Sequence, residues 1–287
     1  HRTDTRGTLR RMERPRMLVT GGSGFVGRHV LPLAAAAGWD VVAPSSTDCD
    51  IRDPTAILQL AISRMPDAVV HLAYRPGDEH VIVEGSGNVA RAAAAVGARL
   101  VHMSTDVVFH GREDPYDEVD PTDPLSDYGR MKAAAEDAVA SRVQDAVLVR
   151  TSLMYGVSVL GACQLDVIQA TQDPSAMAFF RDEIRCFTPV EDVAAAVVAL
   201  AGRPDVRGPL HVVGPDAIDR HTFAVRTAGW LGHDAAALRA TTLAASGLVR
   251  PARVVLTPAH AEELGFTCRS LATMLATSPP PVGSGTA

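Results

Sequence analysis

Cysteine is scarce and scattered. The chain of 287 residues carries four, Cys49, Cys163, Cys186 and Cys268, with no C-x-x-C pair and no metal-ligand spacing. That excludes a disulfide scaffold and a zinc ribbon, and it reads as the reduced, ordinary cysteines of a cytoplasmic protein. His211, His221, His233 and His260 share no ligand-like spacing either, so no metal is expected. No apolar run approaches the roughly 20 residues that span a bilayer. An excess of positive charge is missing as well: 27 Lys and Arg stand against 33 Asp and Glu, for a net charge of −6. Nothing therefore points to nucleic acid or an anionic membrane as partner. Residues 1–15 lack the apolar centre of a signal peptide and read as a disordered or artificial lead-in. Residues 277–287, rich in Pro, Gly and Ser, read as a loose tail. No internal repeat is visible. What the chain does have is 47% hydrophobic content, enough for a sizeable core in one large or two intimately joined domains.

Between the termini, strand and helix signals alternate. Arg16 to Thr20 is a short apolar run suited to a buried parallel strand. Gly21-Gly22-Ser23-Gly24-Phe25-Val26-Gly27 follows, and then a helical run from Arg28 to Ala37. Either Gly21 or Gly22, with Gly24 and Gly27, completes a three-glycine pattern. Glycines there allow a tight turn, let backbone approach a pyrophosphate and seat the helix on the strand, whose partner helix then offers its free N–H groups to phosphate. Glycines also make plain turns; the place of these, between a first strand and a first helix, points to dinucleotide binding. A second strand is expected over residues 40–43. An acidic residue at its end would favour NAD, but Pro44-Ser45-Ser46-Thr47 stands there. Ser45 and Ser46 leave room for a 2′-phosphate, which Arg28 or Arg52 could reach, so NADP is expected, with NAD as the alternative. Asp53-Pro54 opens a helix to about Arg64. A third strand is expected over 67–72, ending in His71-Leu72-Ala73-Tyr74, then a helix within 78–96 and a fourth strand over 99–103. This alternation is the signature of an α/β doubly wound parallel sheet of the Rossmann type.

The fourth strand runs into Ser104-Thr105-Asp106-Val107, at a carboxyl edge where open α/β sheets build their sites. A polar loop over 111–125 leads to Ser126-Asp127-Tyr128-Gly129-Arg130-Met131-Lys132, the start of a helix that Ser126 or Asp123 could cap, with Pro124 in its first turn. Tyr128 and Lys132 stand four residues, one helical turn, apart on one face. A cation beside a phenol favours the phenolate, so Lys132 is expected to lower the tyrosine's pKa and tune it for proton transfer at a hydroxyl or carbonyl oxygen. A hydroxyl at Ser104-Thr105 could hydrogen-bond the same oxygen. A fifth strand is expected over 145–149. Beyond residue 157 the strand period fades. Thr188-Pro189-Val190-Glu191 then reads as a capping box opening a helix to Leu200, 210–214 as a sixth strand, and 220–232 and 269–276 as helices.

Together TGGSGFVG, HLAY, STDVVFHG, YGRMK and RTSLMYG resemble the extended short-chain dehydrogenase/reductase family. With CDIRDP, ARAAAAVGARLVHMSTDVVFHG and FFRDEIRCFTPVEDVAAAVVAL, the likeness is greatest to its dTDP-4-dehydrorhamnose reductase branch, over residues 16–266. The resemblance implies an oxidoreductase of carbohydrate biosynthesis acting on a nucleotide-activated 4-keto deoxysugar with NAD(P)H. Tyr128 would protonate the carbonyl oxygen, Lys132 would hold the nicotinamide ribose, and Thr105 would bind the reacting oxygen. Gly24, Phe25 and Val26 would line the pyrophosphate, Asp50 and Ile51 the adenine, and Leu72, Ala73, Tyr74 and Ser104 the cofactor's length. Asp106, Val107 and Leu153 would face the substrate. A Rossmann domain is expected over 16–156 and a smaller substrate lobe over 157–276, with 188–214 returning to the first domain. The branch often carries Asp-Arg where Ser45-Ser46 stands, which leaves the cofactor preference open, and Trp where Leu153 stands and Tyr where Val107 stands, which leaves the sugar open. An epimerase or dehydratase on the same scaffold, or a catalytically idle cofactor-binding subunit, are the alternatives. A homodimer is compatible with the sequence.

Overall fold

The computed structural model describes residues 14–281, so the expected lead-in up to Glu13 and the tail beyond Pro281 lie outside the described residues. Five strands come early: β1 (Arg16–Thr20), β2 (Asp40–Val42), β3 (Ala68–His71), β4 (Arg99–Thr105) and β5 (Val147–Thr151). Between them run α1 (Gly27–Ala36), α2 (Pro54–Arg64), α3 (Gly85–Val96) and α4 (Asp127–Ala140). The α3 helix is preceded by a π-helical turn over His80–Glu84. Later come α5 (Ala162–Gln172), α6 (Val190–Leu200), β6 (Gly208–His211) and α7 (Arg220–Leu231). The six strands form one parallel sheet in the order β6-β5-β4-β3-β1-β2.

Alternation along each strand explains why the sheet is covered on both faces. Met17 and Val19, with Val70, Val101 and Val149, point to one side and meet Val30 and Ala34 of α1 and Val193 and Val197 of α6. Their neighbours Leu18, Val69, Leu100 and Leu148 point to the other and meet Ile57 and Ala61 of α2, Val89 of α3 and Val139 of α4. Side chains on a strand alternate with period two, so a buried parallel sheet reads as an unbroken apolar run with two faces to fill. The strand order reverses between β1 and β3, and a crevice opens there beyond the carboxyl ends.

Outside this sheet, Ala217–Asp219, Ile184–Cys186 and Arg253–Val254 make a three-stranded sheet, and Phe179–Phe180 pairs with Ala240–Thr241. Helices α5 and α7 pack together there around Val167, Ala170, Ala224 and Ala228. No helix among the described residues is long and apolar enough to cross a membrane.

Two local expectations are corrected. Thr188 and Glu191 form no capping box: Pro189 is the N-cap of α6, and no side chain caps it. The Thr188 hydroxyl donates to the Cys186 carbonyl at 2.8 Å and accepts from Gly214 N at 3.0 Å, while Glu191 accepts from Val157 N at 2.9 Å and from the Ser158 hydroxyl at 3.1 Å. Both side chains tie neighbouring segments instead of their own helix. The sixth strand spans Gly208–His211 rather than 210–214; Val212 N still donates to the Arg150 carbonyl at 3.0 Å, but no further pairing follows and Val213 packs in a separate core cluster.

Candidate active site

A cleft of about 930 Å³ opens along the carboxyl ends of the strands. Its floor begins at the glycine turn. Gly21 has φ +75°, and a Cβ there would stand 2.6 Å from Ala73 N. A Cβ on Gly27 would stand 2.5 Å from the carbonyl oxygens of Gly21 and Gly22, so the first turn of α1 sits directly on the loop. The pattern is therefore Gly21-x-x-Gly24-x-x-Gly27. Gly22 is buried against Ala43 and Leu31 and does not line the cleft. No side chain caps α1; Arg28 N and His29 N donate to the Gly24 and Val26 carbonyls at 3.0 Å, while Val26 and Gly27 line the cleft, where the positive end of the helix dipole favours an anion.

At the far end of the glycine side lie Ser45, Ser46, Asp50, Ile51 and Arg52. The Arg52 guanidinium pairs with Asp50 at 2.6 Å, and this hydrogen-bonded pairing holds the Asp50 carboxyl below its usual range. Of the two arginines considered for a 2′-phosphate, only Arg52 lines the cleft. Arg28 lies outside it and donates to the Ser23 carbonyl at 3.1 Å.

The chemistry-bearing end is assembled by β4 and α4. Ser126 is the cap of α4, accepting from Gly129 N at 3.1 Å. Asp123 is not: it accepts from His110 N at 3.1 Å and pairs with the His110 ring, leaving Pro124 ahead of the helix. Gly129 was not singled out from the sequence, yet a Cβ on it would stand 2.1 Å from the Val107 carbonyl oxygen. Only glycine lets α4 approach the turn after β4 closely enough to set Tyr128 beside Thr105. Tyr128, Lys132, Ser104, Thr105, Asp106, Val107, Leu72, Ala73, Tyr74 and Leu153 all line this part of the cleft.

Lys132 is 6% exposed and its Nζ donates to the Met103 carbonyl at 2.6 Å. Burial pulls its pKa down to about 8, with Glu136 acting in the opposite direction. The expectation that Lys132 lowers the Tyr128 pKa is corrected. Burial pushes Tyr128 above the ordinary phenol range, Tyr74 and Asp106 add to the rise, and a hydrogen bond with Thr105 opposes it. With the ammonium turned to Met103, desolvation of the phenolate outweighs any help from the cation.

Asp106 is a buried carboxylate. It accepts from Ser152 Oγ at 2.6 Å and Thr105 Oγ1 at 3.2 Å, and lies 3.6 Å from Arg185 Nε. Burial raises its pKa against the pull of Arg185 and both hydroxyls. The Ser104 hydroxyl donates to Glu136, and Glu136 in turn pairs with Arg150 at 2.8 Å, both side chains 5% exposed or less. Sequence reasoning missed Glu183, Arg185, Arg220 and Arg250, which also line the cleft. The Glu183 carboxylate lies 2.9 Å from Arg220, 3.1 Å from Arg250 and 3.5 Å from Arg185. Glu183 and Arg185 lie in FFRDEIRCF, whereas Arg220 and Arg250 come from two other segments, so three separate segments had to be folded together to make the group.

The family model described as the RmlD substrate binding domain matches residues 15–278. The chain belongs to this family. A dTDP-4-dehydrorhamnose reductase of Mycobacterium tuberculosis is 34% identical over 225 residues, which cover 71% of this chain and 72% of that protein. The enzyme of the same name from Mycolicibacterium smegmatis is 40% identical over 152 residues, 49% of this chain and 46% of that one. Methionine adenosyltransferase 2 subunit beta of Bos taurus is 28% identical over 286 residues, 89% of this chain and 84% of that one. Among solved structures, dTDP-4-dehydrorhamnose reductase of Bacillus anthracis in complex with NADP superposes with a TM-score of 0.83 over 91% of this chain and 97% of that one, at 23% identity. That likeness establishes the Rossmann-type fold.

Proposed function

We propose that this RmlD-family protein is an NADP(H)-dependent reductase of a nucleotide-activated 4-keto deoxysugar, with Tyr128 as proton donor. One observation carries the reading: Tyr128, Lys132 and Thr105 share a single cleft with the Gly21–Gly27 turn. The cradle fits a dinucleotide, since Gly21 and Gly27 hold backbone where side chains would clash and the uncapped start of α1 faces the same space. When bound there, the nicotinamide supplies the hydride.

The protein's residues supply the rest. A phenol whose pKa lies above its ordinary value keeps its proton at neutral pH, as an acid awaiting a developing alkoxide must. Lys132, mostly charged at pH 7, stabilises the phenolate that remains after the transfer. The Thr105 hydroxyl, which now donates to Asp106, is placed to turn toward the reacting oxygen. Elements beyond residue 156 supply the outer wall of the cleft through Ala162, Cys163, Glu183, Arg220 and Arg250, while α6 and β6 belong with the sheet.

NADPH oxidation against a panel of dTDP- and UDP-linked 4-keto sugars tests the reading. Tyr128→Phe should lower turnover by roughly 100- to 10,000-fold, the usual worth of general acid catalysis, with the cofactor dissociation constant unchanged. Wild-type turnover in the variant would refute the role. A second reading, a cofactor-binding regulatory subunit, is favoured by the likeness to methionine adenosyltransferase 2 subunit beta over 89% of this chain and 84% of that one. It predicts NADPH binding with no turnover of any sugar. Retained NAD with no net NADPH consumption would instead indicate an epimerase or dehydratase.

A further inference from the structure

Among the described residues, three aromatic side chains line the cleft: Phe25, Tyr74 and Tyr128. Phe25 is engaged, edge-on to the His29 ring at 5.7 Å and against Gly161. Tyr128 carries the proton. Tyr74 has no such employment and is 53% exposed, a large ring left in water inside a cleft. Its backbone is nevertheless held. Leu72 N donates to the Thr20 carbonyl at 3.0 Å, and the Ala73 backbone abuts Gly21. On the other side Asp78 closes a short turn, with Asp78 N on the Arg75 carbonyl at 3.2 Å and the Asp78 carboxylate accepting from Val81 N at 3.1 Å. The ring thus projects from a braced turn. Its centroid lies 6.0 Å from that of Tyr128, with 56° between the planes. At that separation and tilt the two rings are not stacked, and with the side chain 53% exposed a face of Tyr74 stays open.

We propose that Tyr74 is a specificity-determining platform: its open face packs against the C–H face of the substrate's pyranose ring while the ring's carbonyl oxygen meets Tyr128. The inference rests on the reductase reading. It also divides labour within HLAY. The backbone at Ala73 meets the glycine turn and serves the cofactor, whereas the Tyr74 side chain is directed to the proton donor and serves the sugar. Stacked groups sit with centroids about 4.5–7 Å apart, and proton transfer needs heavy atoms within roughly 2.6–3.2 Å. A sugar lying on a ring adjacent to Tyr128 meets both requirements. Leu153, another wall of this region, is aliphatic and offers no flat face.

The test uses full-length protein, saturating NADPH and the panel sugar that wild type turns over fastest. Tyr74→Ala should raise KM for the sugar about tenfold, with kcat within about twofold, as expected for a lost apolar contact. NADPH affinity measured calorimetrically without sugar should not change. Tyr74→Phe should restore wild-type KM, because it keeps the ring. An unchanged KM in Tyr74→Ala overturns the proposal. So does a loss of NADPH affinity matching the rise in KM, which would assign the ring to the cofactor, and so does a Tyr74→Phe variant as impaired as Tyr74→Ala, which would assign the role to the hydroxyl. Wild-type protein that binds NADPH yet turns over no sugar would sink the reductase reading before any Tyr74 variant is compared, so the two failures are distinct.

Discussion

Replacing Lys132 with methionine should stabilise the cofactor-free protein at neutral pH. Lys132 is the single lysine among the 27 Lys and Arg residues of the chain. An arginine could not serve, since a guanidinium stays protonated and its planar fork cannot act as a compact point charge. The position costs the fold something. Burial pulls the Lys132 pKa from 10.5 to about 8, and each unit is worth about 1.4 kcal/mol. A charged Lys132 therefore destabilises the folded state by on the order of 3 kcal/mol at pH 7. The folded pKa lies below the unfolded one, so the penalty is fully present below about pH 8. Between there and about 10.5 the unfolded chain holds a proton that the folded chain has released, so stability rises with pH and the penalty disappears. Methionine removes the charge but leaves the Met103 carbonyl without its 2.6 Å donor, an offset of about 1 kcal/mol. The expected net gain is about 2 kcal/mol at pH 7, shrinking to zero or below near pH 10.5. Urea denaturation of both proteins across that range measures it, and reductive ¹³C-methylation of wild type gives one side-chain signal whose titration midpoint should fall near 8. A variant less stable than wild type at pH 7, or a difference that is flat with pH, would refute the reasoning.

Gly27→Ala should abolish dinucleotide binding and destabilise the fold, because its Cβ would stand 2.5 Å from two carbonyl oxygens; calorimetry and thermal unfolding read both effects. Glu136→Gln leaves the Arg150 guanidinium buried without its counter-ion and should cost about 3–5 kcal/mol in denaturant unfolding. NADPH should bind more tightly than NADH, because Ser45 and Ser46 replace an acidic residue at the end of β2 and Arg52 lines the same end of the cleft. Arg52→Ala should narrow that difference in titrations with both cofactors, and an unaltered ratio would remove Arg52 from the adenosine site.

Local pattern was enough for much of this molecule. The apolar runs at Arg16–Thr20 and Arg99–Met103 are suited to buried strands and form them, and the helix from Pro54 to Arg64 follows from Asp53 as cap and proline as first residue, a cap the structure shows accepting from Thr55 N and Ala56 N. The parallel sheet followed from the strand–helix alternation, and the Tyr128–Lys132 pair from helical spacing. These are properties of neighbours in sequence, set by backbone geometry and the side chain's own chemistry. Competition between distant partners was not legible. Thr188 and Glu191 have the letters of a capping box, but Cys186, Gly214 and Ser158 offered better hydrogen bonds once folded. Tyr128 and Lys132 have the spacing of a tuned pair, but the Met103 carbonyl took the ammonium and burial moved both pKa values the costly way. The grouping of Arg185, Arg220 and Arg250 about Glu183, and the choice of Gly21 over Gly22 as the residue at the turn, came from segments far apart in the chain. Desolvation and close approach depend on what the rest of the chain brings near, and that information exists only in the tertiary structure.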